Sequence, residues 1–245
     1  MCYSVAFLAN KAAIYEKRYA LLGQLALNDA GHTWPSSYFL SGFTHPVLPL
    51  VTSSGISFFR WGLIPFWVKD AAQAASLSKH TLNAMGETLF EKPSFRAAAA
   101  QHRGILGVTG FFEWREFQGE KYPYFVHAAN GELLSLACIT SQWQHPDSGE
   151  QVYSFGIVTT DANPLLAQIH NTKKRMPLVL TAGQEAEWIS DTLSPTAVVG
   201  MAKPCETHLL RAYPISRAAG NPKMNRNEAW MLREEHYADL PELVL

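Results

Sequence analysis

Apolar positions run almost unbroken through residues 2–8, a strand whose imperfect alternation predicts burial on both faces. Asn10 follows as a candidate helix cap, and Tyr15, Tyr19, Leu22 and Leu25 recur at three- and four-residue steps, predicting a helix over 11–29 that ends near Gly31. Residues 34–52 hold Pro35, Pro46 and Pro49 among short apolar pairs and read as a loop with brief extended pieces. A strand over 56–61 feeds the aromatic loop Gly62-Leu63-Ile64-Pro65-Phe66-Trp67, and the Ala-rich stretch 71–79 reads as a helix. Pro93 and Ser94 start a second short helix, 94–102.

The second half alternates in the strand period. Segments 104–114, 124–128, 133–142 and 152–160 are spaced by turn signals, among them Asn130-Gly131, a strong two-residue hairpin signal, and Pro146-Asp147-Ser148-Gly149. The pattern predicts an antiparallel meander. Asn163-Pro164 caps and begins a short helix ending at His170, 177–180 resumes as strand, 183–191 is a helix around Trp188, and 207–215 is the last strand. With no internal repeat or linker, the expectation is one α+β domain over 1–245. Its dominant antiparallel sheet is partly barrel-like and flanked by short helices.

Composition narrows the function classes. The 245 residues are 47% hydrophobic and 17% charged, ordinary for a soluble globular protein. Lys+Arg 20 against Asp+Glu 21 leave a formal net charge of -1, so a nucleic-acid partner must be held by a local patch. Cys2, Cys138 and Cys205 are widely spaced without a C-x-x-C pair, fitting neither a disulfide framework nor a zinc site, and a reducing cytoplasm is the expected location. No apolar run approaches the ~20 residues of a membrane span. The chain holds no Walker A run, no G-x-G-x-x-G after a strand, no H-E-x-x-H and no G-x-S-x-G elbow. No metal, nucleotide cofactor or other cofactor is expected, and a monomer is.

The chemistry that remains starts at Met1-Cys2. If Met1 is removed, Cys2 carries a free α-amine, with a pKa of about 7.7–8.0, beside its thiol. Such an amine attacks an aldehyde without needing burial, and the adjacent thiol can close the imine into a five-membered thiazolidine. Cys2 can equally be a small buried hydrophobe opening a strand.

Six blocks bear on the choice: Met1-Cys2; Trp61-Gly62-x-x-Pro65; Asn83-Ala84-x-x-Glu87-Thr88; Gly110-Phe111-Phe112-Glu113-Trp114; Ile157-Val158-Thr159-Thr160; and Ile169-His170 with Arg175-Met176-Pro177-Leu178. Together and in this order they resemble the SRAP family of SOS response-associated peptidases and abasic-site processing proteins. The resemblance implies a single SRAP-type α+β domain that binds single-stranded DNA containing abasic sites. It further implies covalent capture of the ring-opened aldehyde on the N-terminal cysteine, autopeptidase removal of Met1, and a centre at which lyase and self-reversal activities remain open.

Glu113, flanked by Phe112 and Trp114, is expected to have a raised pKa and to move protons in imine chemistry. It can also be a strand-end glutamate reaching water. His170 would protonate the sugar ring oxygen, or simply meet a helix dipole. Asn83 would orient the amine or a sugar hydroxyl, or serve as a turn residue. Thr159 and Arg175 are placed on phosphates, helped by Lys173 and Lys174 unless those form only a solvated face. Pro46, Trp61 and Trp67 would form a shelf that unstacks a base, with Trp61 equally a core residue.

Three departures stand out. Tyr3-Ser4 replaces the usual Gly-Arg after the cysteine, Met85 replaces an arginine, and Asn171-Thr172-Lys173-Lys174 lengthens the step from His170 to Arg175. A reading from another class remains: an N-terminal-cysteine amidohydrolase or thiol peptidase acting on a small amide or peptide. A third, non-catalytic reading is a single-strand binder using the aromatic shelf alone.

Overall fold

Five strands close into a ring in the computed structural model, which describes residues 2–9, 12–23, 26–28 and 31–244. Numbered along the chain, the ring strands are β4 (Val47–Thr52), β5 (Gly55–Trp61), β7 (Arg103–Val108), β10 (Leu134–Gln144) and β11 (Gln151–Asp161). Their neighbours pair antiparallel except β5 with β11, which run parallel and complete the circuit. An odd ring cannot alternate direction throughout, so one parallel seam is required. β2 (Leu27–Asn28), β6 (Asn83–Met85), β12 (Arg175–Pro177) and β13 (Val179–Leu180) extend it.

A second, wholly antiparallel sheet runs β14 (Leu210–Pro214), β9 (Glu120–Ala128), β8 (Gly110–Phe117), β1 (Ser4–Phe7), β3 (Ser37–Ser41). Its faces bury different clusters. Phe111 joins the main core with Val5, Tyr15 and Leu136, while Phe112 packs with Ala6, Phe39, Phe125 and Met231. The two-residue period of a strand therefore returns Glu113 to the side of Phe111, next to the main core. The helices are short: α1 (Ala12–Arg18), α2 (Ala71–His80), α3 (Arg96–Gln101), α4 (Pro164–Ile169), α5 (Ala182–Ile189) and α6 (Pro195–Met201). Asp70 caps α2 and Asn163 caps α4, each side chain accepting the N–H three residues on.

The expected α+β class and antiparallel, barrel-like sheet hold. The expectations for Met1, for Asn10 as a cap and for Leu25 fall outside the described residues. The helix over 11–29 is shorter than its periodicity suggests, since α1 stops at Arg18, a 3-10 turn follows at Ala20–Leu22, and Leu27–Asn28 pair with β5. Arg18, the last residue of α1, pairs with Glu185, 2.5 Å from its guanidinium.

Residues 34–52 are not a loop but hold two strands. Pro49 is tolerated in β4 because the only register partner there on the β7 side is Val51 with Ile105. The Pro49 carbonyl instead accepts the Tyr15 hydroxyl at 3.2 Å.

The single strand expected over 104–114 is two. The chain leaves the barrel at Thr109, whose hydroxyl accepts the N–H of Leu8, and enters the second sheet at Gly110. A Cβ on Gly110 would lie 2.5 Å from the Phe125 ring. Asn130-Gly131 does turn, with Gly131 at φ 75°, but it joins β9 to β10 in the other sheet rather than closing a hairpin.

Candidate active site

Glu113 is 3% exposed, and burial raises its pKa from the ordinary 4.5 to about 7. It sits where β8 runs beside the chain start. Val5 pairs with Phe111 and Ala6 with Gly110, and the same register carried past the strand end sets Tyr3 opposite Glu113. His170 ends α4, which packs on β8. Its Nδ1 lies 3.9 Å from Glu113 Oε1, too far for a hydrogen bond and close enough for both to touch one small ligand.

His170 Nδ1 also lies 2.7 Å from the Arg175 carbonyl and 3.4 Å from the Arg175 N–H. The shorter contact assigns the ring proton to Nδ1 and leaves Nε2 as an acceptor. Burial lowers the imidazole pKa, so His170 is neutral near pH 7. A neutral ring with its proton on Nδ1 favours proton acceptance at Nε2 over the donation to the sugar expected from sequence.

Both residues line a cleft of about 330 Å³ together with Tyr3, Trp114, Glu116, Lys121, Thr172 and Lys173. Thr172 and Lys173 reach it because the longer turn after His170 is fastened down. The Asn171 amide accepts the Glu116 N–H at 3.0 Å and donates to the Glu116 carbonyl at 2.7 Å. The Lys174 N–H closes the turn on the His170 carbonyl at 2.7 Å, with Lys174 itself at φ 49°.

Cys2 is fully buried, its thiol making a long 3.8 Å contact with the Ser4 carbonyl. Burial, and then the Glu113 carboxylate, push the thiol pKa far above its usual range. Of Cys2, Asn83, Glu113 and His170, the four residues given chemical roles from sequence, only Glu113 and His170 line the cleft. Asn83 is buried on β6 beside β11, and neither its carbonyl nor its amide nitrogen has a hydrogen-bond partner among the described residues. Each orphaned atom costs roughly 1–3 kcal/mol. That cost favours a ligand-orienting amide over a plain turn residue.

The binding residues read from sequence divide sharply. Trp61 is 0% exposed, stacked 5.9 Å from Phe155 with its indole N–H donating to the Leu82 carbonyl at 2.9 Å. It is core, not a base shelf. Thr159 is also fully buried, and Arg175 is held by both Glu87 oxygens at 2.8 Å, by Asp161 at 2.9 Å and by the Thr159 carbonyl at 2.8 Å. Neither meets a phosphate without breaking that network. Trp67 remains partly open, its N–H reaching the Pro93 carbonyl, and Pro46 is half-buried. Lys173 and Lys174 are both exposed, but only Lys173 lines the cleft.

Sequence reasoning missed Phe43, exposed and stacked 5.0 Å from Tyr3 at the cleft, as well as Lys121 and the Asn171 fastening. Lys121 was legible in principle. Gln118-Gly119, both at positive φ, make a two-residue hairpin turn that sets Glu116 opposite Lys121.

Comparison with known proteins bears on this arrangement. The family model described as SOS response associated peptidase (SRAP) matches residues 1–222. The abasic site processing protein YoqW of Bacillus subtilis is 33% identical over 171 residues, 69% of this chain and 73% of that one. The abasic site processing protein HMCES of Rattus norvegicus is 29% identical over 199 residues, 69% of this chain and 54% of that one. A crystal structure of a Bacteroides thetaiotaomicron protein superposes with a TM-score of 0.87 at 34% identity, covering 96% of this chain and all of that one. A Bordetella bronchiseptica protein, 21% identical with a TM-score of 0.73 over 88% of this chain, shares the fold. A match over nearly the whole chain, with the Glu113 and His170 blocks meeting in one cleft beside Cys2, establishes that this protein belongs to the SRAP family.

Proposed function

We propose that the protein processes abasic sites in single-stranded DNA, capturing them as a thiazolidine on Cys2 once Met1 is gone. The observation that carries this reading is the Glu113–His170 pair, 3.9 Å apart in a cleft whose wall includes the residue next to Cys2. The abasic sugar opens when its ring oxygen gains a proton and its C1′ hydroxyl loses one. Glu113, near half-protonated at pH 7, supplies the first, and the Nε2 lone pair of neutral His170 takes the second. The Cys2 amine then adds to the aldehyde carbon. Glu113 as carboxylate takes an amine proton, and loss of water leaves the imine. Sulfur adds to the imine carbon while the thiol proton passes to nitrogen, closing the ring. Aldehyde and aminothiol enter; thiazolidine and one water leave.

The thiol's burial suits this order, because it stays protonated until the imine forms. An imine at C1′ also acidifies C2′, so strand cleavage by elimination, and reversal by hydrolysis, belong to the same proposal. Related proteins named for abasic-site processing support the substrate class. The test is incubation of Met1-free protein with a uracil oligonucleotide treated with uracil glycosylase, followed by a denaturing gel. A band shifted by the protein's mass, stable to heat without reductant, is expected. Absence of that band, or a band that forms only after borohydride, rejects the thiazolidine.

A further inference from the structure

Ser4 and Met85 carry no charge, and Arg175 is spent on Glu87 and Asp161. The cleft nevertheless has cations. Lys121 stands on the β9 side of the β8–β9 hairpin, and Lys173 on the fastened turn after His170. Both are exposed, and among the described residues neither has an ion-pair partner within 4.0 Å. The Asn171 clasp on Glu116 fixes the backbone under Lys173, so only side-chain rotamers remain to be ordered when an anion arrives.

We propose that Lys121 and Lys173 form a two-cation seat for the phosphodiesters next to the abasic sugar. The proposal rests on the capture reading and specifies how its substrate is held. A ligand whose reacting carbon meets Glu113 and His170 while its anions meet two lysines of the same cleft matches an abasic nucleotide within a strand, which carries a phosphate at both its 5′ and 3′ oxygens. A peptide offers no such regular pair of flanking anions. Glu116, the cross-strand neighbour of Lys121 and also in the cleft, opposes the seat by repelling an incoming phosphate and attracting the lysine.

The experiment measures single-turnover capture by Met1-free protein at several salt concentrations, using an abasic oligonucleotide and, separately, free 2-deoxyribose, an aldehyde sugar without phosphate. The Lys121→Gln/Lys173→Gln double variant is expected to capture the oligonucleotide at least about tenfold more slowly at low salt. Its log–log salt slope should be shallower by about 1.4, two contacts at about 0.7 each for single strands. Capture of 2-deoxyribose should change far less, by only what losing the Lys173 charge near His170 produces, and Glu116→Gln should speed oligonucleotide capture. An unchanged slope in the double variant, or equal slowing on 2-deoxyribose, overturns the seat while leaving capture intact. No adduct from the unaltered protein with either substrate overturns the capture reading and the seat together.

Discussion

Glu113 sits in an environment far from what water would give a carboxylate. A carboxyl group with an ordinary pKa of 4.5 holds its proton to about 7 here, because the ionised form is buried among core side chains. The folded state therefore binds one more proton than the unfolded state between those two values. Stability must fall as pH rises through that window and level off above it, by up to roughly 3 kcal/mol for this group. Glu113→Gln removes the titration. The variant is expected to be more stable than the parent at pH 8 and to lose that advantage below pH 5 in urea unfolding. Its capture of abasic DNA should be slow at every pH. A parent whose stability is flat from pH 5 to 8 would show that Glu113 titrates normally. The raised pKa was expected from sequence because Phe112 and Trp114 flank Glu113, although both lie on the opposite face of β8 and the burial comes from the Phe111 side. The lowered pKa of His170 was not, because it comes from burial, which the hydrogen bond to the Arg175 carbonyl, five residues away, opposes.

Among the elements, the hairpin β8–β9 and the turn 170–174 together make the cleft, and Asn171 is what joins them. Its two hydrogen bonds to the Glu116 backbone are made by a half-buried side chain, so their loss should cost little global stability, about 1 kcal/mol. Asn171→Ala is expected to lower the melting temperature only slightly while slowing capture about tenfold. Asn171→Asp, which keeps the acceptor for the Glu116 N–H, should recover part of the rate. Equal rates for the parent and the alanine variant would mean that the turn holds His170 without this clasp.

Local signals identified most strands and helices correctly, including the cap at Asn163, because these depend on neighbours in sequence. They failed where the partner strand decides. Pro49 is acceptable in a barrel strand only because its β7 side is nearly unpaired, and Gly110 marks a change of sheet that hydrophobic alternation runs straight across. The lengthened step after His170 was visible, yet its result, Lys173 in the cleft and Arg175 buried behind two carboxylates, needed the fold.

At the scale of the molecule, the barrel and the second sheet bring the first residues of the chain against its middle. β1 is wedged between β3 and β8, so the backbone at Cys2 is anchored while its nitrogen lies one residue beyond the cleft wall at Tyr3. That placement makes the state of this one nitrogen decisive. Joined to Met1 it is an amide, its lone pair delocalised into the carbonyl, and it cannot form an imine. Freed, it is an amine next to a thiol. The most direct measurement is intact-mass spectrometry of Met1-retaining and Met1-free protein after each is incubated with the same abasic oligonucleotide, with Cys2→Ser in the Met1-free form alongside. A heat-stable adduct, at the mass of protein plus oligonucleotide less one water, is expected only on the Met1-free parent, and the serine variant should give at most a labile one. A stable adduct on protein still carrying Met1, or full stability in the serine variant, would contradict capture by the Cys2 amine and thiol.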